Sequence, residues 1–179
     1  MEMHSLRELY VENLRDMYSA ETQLVKALPR MIQGADNADL VGALDAHLTE
    51  TEAQVARLER IFAGLGERPQ GRKCKGIEGL IEEGAQVLAE QAAPDVVDAG
   101  IIVAAQKVEH YEIAVYGALQ AFAEMLDDEE AAGLLAESLA EEKEADARLA
   151  EIALAMVNLE AAEGAETANA PASTRASRR

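Results

Sequence analysis

Glu21 and Glu112 lie 91 positions apart, and so do Glu50 and Glu141. Each falls on or beside the apolar face of a long helical pattern, where a carboxylate is costly to bury. A single buried carboxylate is a defect. Several that converge in the core of a helical bundle make a cation site, so the chemistry these residues point to is metal coordination by oxygen.

The apolar stripes place the acids. In the first segment Tyr10, Leu14, Met17, Leu24 and Leu28 flank Glu21, which stands where a leucine is expected. Ile101, Ala105, Val108, Val115 and Leu119 do the same for Glu112, and Glu109 shares its face one turn earlier. The second segment reads Leu44, His47, Glu50 or Thr51, Gln54, Leu58, a polar gap inside the stripe. In the last segment the gap between Leu139 and Leu149 holds Glu141, Glu142, Glu144 and Asp146. All four gaps come at mid-length, and antiparallel packing brings them to one level.

Carboxylates crowded at that level repel one another and go neutral unless a cation balances them. An oxygen-rich site with one imidazole suits two ions of iron or manganese, whereas zinc leans on cysteine and histidine. The familiar two-metal pattern has one Glu on each of two helices and Glu-x-x-His on the other two. This chain departs from it: Glu50-x-x-Ala53 and Glu141-x-x-Glu144 both lack the histidine. A reversed arrangement, His47 one turn before Glu50, then supplies the nitrogen. Any one of these glutamates, taken alone in so acidic a chain, reads as solvated helix surface. The matched spacing of the set is what argues for metal. By the same reasoning His110 is expected off the inward stripe, Tyr18 and Tyr111 as packing residues, and Cys74 as incidental.

The elements that must position these side chains follow from apolar spacing. Helices are expected at about 5–34, 38–65, 76–91, 94–126 and 129–159, with a kink or break near Val25 to Leu28 because Pro29 lies inside the first. The stretch GERPQGRKCKG, rich in Gly and Pro and locally basic, reads as an exposed connection. Short loops join the first two long helices and the last two, and a connection of roughly 30 residues links these hairpins. The fold class is therefore all-α: a ferritin-like antiparallel four-helix bundle over 1–160, with a long crossover carrying a short extra helix. Residues 161–179, without apolar periodicity, read as a disordered tail. The 91-residue offset recurs outside the acids, matching Ala56-Arg57-Leu58 to Ala147-Arg148-Leu149 and Leu44 and Leu48 to Leu135 and Leu139. One offset serves both helices of each hairpin, so the hairpins share a geometry.

Bulk properties narrow the partners. A formal net charge of −18 excludes a phosphate-neutralising face and argues against nucleic acid. No apolar run approaches the roughly 20 residues that span a bilayer. The single cysteine excludes an internal disulfide framework, and MEMHSLRELY has no signal-peptide pattern, so a cytoplasmic location is expected.

The segments DMYSAETQLVKALPRM, HLTETEAQVARLERIF, AAQKVEHYEIAVYGAL and LAEEKEADARLAEIA resemble the YciF-like bacterial stress proteins, a branch of the ferritin-like superfamily. The likeness covers about residues 3–158, with VEHYEIAVYGAL its most specific part. It implies a homodimeric ferritin-like bundle with a di-iron or di-manganese centre that reacts with oxygen or peroxide, or alternatively a non-enzymatic stress protein acting through protein partners. The family's acidic positions correspond to Glu21, Glu50, Glu109, Glu112, Glu141 and Glu142, with His47 beside them. Which of these are ligands the resemblance leaves open.

Overall fold

Three of the four long helices begin where a side chain satisfies backbone N–H groups that have no partner within the helix, and the fourth begins at a proline. Ser5 accepts from the Glu8 N–H at 3.2 Å, and Glu8 reaches back to the His4 N–H, closing the start of α1 (Leu6–Gly34). Asn37 caps α2 (Ala38–Leu65) through the Asp39 and Leu40 N–H groups. Pro94 opens α4 (Pro94–Met125), and Asp128 caps α5 (Glu129–Ile152). Between the hairpins lies α3 (Lys75–Val87), and a π-helical turn, Ala153–Val157, follows α5. Gly66, at φ 67°, ends α2 in the left-handed conformation that glycine adopts without strain. This structure, a computed structural model, describes residues 4–159 and 161–162. Of the tail expected to be disordered, Ala161 and Ala162 are helical and residues 163–179 lie outside the described residues.

The long helices form a ring in the order α1, α2, α5, α4, and every neighbouring pair runs antiparallel. The chain therefore crosses the length of the bundle between α2 and α4, and α3 rides along the groove between α1 and α4. Close passage there requires small residues. A Cβ on Gly76 would fall 2.8 Å from the Tyr111 ring, and Gly84 is buried against Met31 and Ala104. This is the four-helix bundle with one long crossover expected from the sequence.

Two local expectations change. Of the kink or break expected near Val25 to Leu28, the break does not occur: α1 is continuous, and the Pro29 ring lies on its exposed side, where water can reach the carbonyl it leaves unpaired. Nor is Cys74 part of an exposed connection. It is buried at the start of α3, its Sγ 3.0 Å from both Asp16 Oδ2 and the Tyr111 hydroxyl. Burial raises the thiol's pKa, which keeps it an unreactive packing group.

Asp98, which carried no signal in the sequence, locks the hairpins together. Its buried carboxylate accepts the Asp36 and Asn37 N–H groups at 2.9 and 2.8 Å, tying the α1–α2 turn to the first turns of α4. Asp98→Ala removes two charge-assisted bonds at once and is expected to cost about 3 kcal/mol. Asp98→Asn, which keeps an acceptor, should fall between the variant and the parent in chemical denaturation. A loss below about 0.5 kcal/mol for the alanine variant would contradict this role.

The core has two apolar halves. Tyr10, Leu14, Leu58, Phe62, Leu119 and Leu135 fill one end, and Leu28, Leu40, Leu44, Ile101, Ile102 and Leu149 fill the other. A fully buried polar layer separates them.

Candidate metal centre

That layer holds Glu21 from α1, His47, Thr51 and Gln54 from α2, Glu109 and Glu112 from α4, and Ser138 and Glu142 from α5. His47, Glu109, Glu112 and Glu142 each offer a ligand atom, and these atoms lie within 4.8 Å of one another. His47 Nε2 is 3.5 Å from Glu109 Oε1. Glu21 lies beside Glu112 and Glu109 beside Glu142, so that the charge of each neighbour weighs on the carboxyls of Glu112 and Glu109. The Tyr116 hydroxyl donates to Glu21 Oε1 from one turn beyond Glu112.

Three of the eight residues singled out in the sequence lie outside this cluster. Glu50 is half-exposed, its Oε2 3.8 Å from His47 Nδ1, and Glu144 is exposed. Glu141 turns to the flank of the bundle, where Arg57 holds both of its oxygens at 2.6 and 2.7 Å. Its charge is therefore already compensated. The offset of 91 survives, but the inward pair is Thr51 and Glu142 rather than Glu50 and Glu141. Moving the register by one residue also relocates the Glu-x-x-His pattern, which becomes Thr51-x-x-Gln54 on α2 and Glu142-x-x-Ala145 on α5. Three of those four positions have lost a ligand. Glu109 and His47 each lie about one turn from the reference position on their helix, on the same inward face, and supply donors in their place.

The sequence stripe ran through Val115, so Tyr116 was missed. Its place four residues after Glu112, on the same helical face, was the available signal. His110 is exposed, 3.6 Å from Asp146, and Tyr18 packs edge-on against Phe62.

The electrostatics of the layer are unbalanced. Burial pushes the carboxyls of Glu21, Glu109 and Glu112 well above the usual range, and repulsion among the acids adds to the shift. The Tyr116 phenol is raised by burial and by Glu21 beside it. Gln54 supplies the donor to Glu142, its Nε2 bonding Glu142 Oε1 and, at 3.1 Å, Glu141 Oε2. Glu21 Oε2, both nitrogens of His47, Glu109 Oε2, both oxygens of Glu112 and Glu142 Oε2 are buried without a hydrogen-bond partner. Native cores rarely leave so many polar atoms orphaned in one place, and a cation satisfies them together.

A narrow cavity of about 60 Å³ reaches this cluster from outside, bordered by His47 and Glu109 within and by Glu50, Glu144 and Arg148 at its mouth. Two of the acids that are not in the cluster therefore flank its approach. Arg148 and Glu50 are the counterparts, one offset away, of the Arg57 and Glu141 that pair on the opposite flank.

A family model described as "Domain of unknown function (DUF892)" matches residues 5–162. The chain belongs to the DUF892 family. Among its relatives, protein YciF of Escherichia coli K12 is 42% identical over 162 residues, covering 90% of this chain and 98% of that protein. The crystal structure of the E. coli stress protein YciF superposes with a TM-score of 0.84 at 41% identity, covering 87% of this chain and 99% of that one. YcfI of Rhodopseudomonas palustris, described as a candidate structural protein, gives 0.80 at 44% identity, covering 83% and 94%. A Xanthomonas campestris pv. campestris protein, 23% identical with a TM-score of 0.69 over 86% of this chain and 94% of that one, shares the fold alone. No described helix is long and apolar enough to cross a membrane.

Proposed function

We propose that the polar layer of this DUF892 bundle is a carboxylate-rich centre for two divalent ions of iron or manganese, serving a stress response through reaction with oxygen or peroxide. The observation that carries this reading is the set of orphaned ligand atoms on Glu21, His47, Glu109, Glu112 and Glu142. Four buried carboxylates bring four negative charges when ionised, which two divalent ions balance. The donors are hard oxygens with one imidazole, the set that suits manganese and ferrous iron. His47, Glu109, Glu112 and Glu142 would hold one ion, and Glu21 with Glu112 and Glu142 would reach the second.

When bound, the ions supply redox equivalents and Lewis acidity to a small oxidant. The protein's own contributions can be stated from its geometry. Gln54 orients Glu142, and the Tyr116 hydroxyl donates to Glu21 Oε1 and fixes that carboxyl in the buried layer. Glu50 and Glu144, beside the narrow cavity, attract cations toward His47.

The test is metal content and peroxide turnover. The full-length protein, loaded anaerobically with ferrous iron or manganese, is expected to retain close to two ions per chain and to consume hydrogen peroxide. Glu21→Ala with Glu112→Ala should abolish retention. If the parent retains neither metal, or the double variant retains as much as the parent, the centre does not exist. The description of the R. palustris relative as a structural protein favours a second reading, a non-enzymatic role for this bundle; a homodimer that protects cells through protein contacts would be its form. That reading requires folded Glu112→Gln protein to protect as well as the parent.

A further inference from the structure

A second, larger cavity lies on the opposite approach to Glu109, between α1, α3 and α4, with a volume of about 530 Å³. Pockets of this size accommodate small organic ligands. Its walls are apolar, formed by Leu24 and Leu28 of α1, Ile81 of α3 and Leu88 just after it, and Ala104 and Val108 of α4. It penetrates the bundle as far as Leu44 of α2 and the buried Glu109, whose Oε2 has no hydrogen-bond partner.

The rim is unlike the rest of the surface. Lys26, Arg30 and Lys73 border the cavity against Glu78 and Glu82, a local excess of positive charge on a chain of net charge −18. Glu78 is engaged by Lys73 and Lys75. Lys26 and Arg30, one turn apart on the exposed side of α1, have no ion-pair partner among the described residues. An apolar chamber with unpaired cations at its mouth is complementary to one class of molecule: an aliphatic chain with a single anionic head. The C-terminal stretch 163–179, EGAETANAPASTRASRR, has no large apolar side chain to fill it. A bilayer carrying anionic lipid is disfavoured because the rest of the surface would be repelled.

We infer that this cavity binds a free medium-chain aliphatic carboxylate, its head at Lys26 and Arg30 and its tail directed between Leu28 and Val108 toward Glu109. The inference concerns binding alone and is independent of whether the polar layer holds metal.

Calorimetric titration of the full-length protein with decanoate, kept below its micellar range, tests it. Saturable binding of one decanoate per chain is expected, with decyltrimethylammonium, the same tail with a cationic head, binding at least about tenfold more weakly. Lys26→Glu with Arg30→Glu should weaken decanoate at least about tenfold by reversing the rim. Ala85→Phe, which places a ring in the chamber from half-buried α3, should do so by occupying its volume. The rim substitutions are on exposed positions, so they decide the matter even if the ring destabilises the fold. The proposal is overturned if decanoate does not saturate below millimolar concentration, if the cationic amphiphile binds equally, or if neither variant weakens binding. Capture of the protein by phosphatidylglycerol vesicles through Lys26 and Arg30, without binding of free decanoate, would also overturn it and assign the rim to a lipid surface.

Discussion

Replacing Glu112 by leucine, and Glu21 by leucine together with Tyr116→Phe, is expected to raise the melting temperature of the metal-free protein while abolishing metal uptake. Both glutamates are fully buried, and both have carboxyl oxygens without partners. An unpaired polar group in such a place costs about 1–3 kcal/mol, which an apolar side chain of similar size removes. Tyr116 must change with Glu21, because the leucine would take away the acceptor of its hydroxyl and leave a new orphan. The sites touch, so their gains will not simply add. A net gain of about 3 kcal/mol corresponds to roughly 6–12 °C for a chain of this size. Differential scanning calorimetry of metal-free samples reads it. Destabilisation in place of the gain would mean that the carboxylates hold the fold together, and a structural explanation of the polar layer would replace the metal one.

Manganese added to the metal-free parent should raise its melting temperature by about 10 °C, and the gain should grow as pH rises. At a hundredfold excess over the dissociation constant, binding to the folded state alone contributes about 2.7 kcal/mol, and about 4.1 at a thousandfold excess. The pH dependence follows from the raised carboxyls of Glu21, Glu109 and Glu112. In the unfolded chain these groups ionise near pH ~4.3, whereas the folded metal-free protein keeps their protons to higher pH. The folded state therefore binds more protons in that window. Its stability is highest below the unfolded pKa and falls as pH rises toward the folded values. Metal requires the ionised forms and must displace those protons, so its apparent affinity strengthens over the same range. Melting curves at pH 5.5 and 7.5, with and without manganese, check both signs. Proton release on binding, followed in weak buffer, checks the stoichiometry. A metal-induced shift that shrinks with rising pH would show that the ion binds surface acids instead.

The bundle was legible because its signals are local and redundant. Ser5, Asn37, Pro94 and Asp128 begin the long helices, and the apolar stripes run almost uninterrupted between them. Glu21 and Glu112 were legible for a related reason, since each replaces an apolar residue in the middle of a clean stripe. Contributions from α2 and α5 were harder to read. Around Glu141 the chain offers acids at four of six positions, and adjacent residues on a helix point about 100° apart, so periodicity could not choose between Glu141 and Glu142. Arg57 made the choice by claiming Glu141 from across the α2–α5 interface. Tyr116 and Asp98 escaped notice because the partners that explain them are 95 and about 60 residues away.

By itself the sequence determined the helices, their antiparallel hairpins, the long crossover, the 91-residue correspondence and the existence of a polar layer at mid-length. These depend on periods and caps that neighbouring residues impose on one another. The tertiary structure alone decided which way each helix is rotated about its axis. Helix rotation is set by packing against the neighbouring helices, and it moves a carboxylate from solvent to core with no change in local sequence. It turned Thr51, Gln54 and Glu142 inward, sent Glu50, Glu141 and Glu144 outward, and brought His47 to Glu109. It also opened, along the seam that α3 covers, a chamber leading to Glu109 that no single segment encodes.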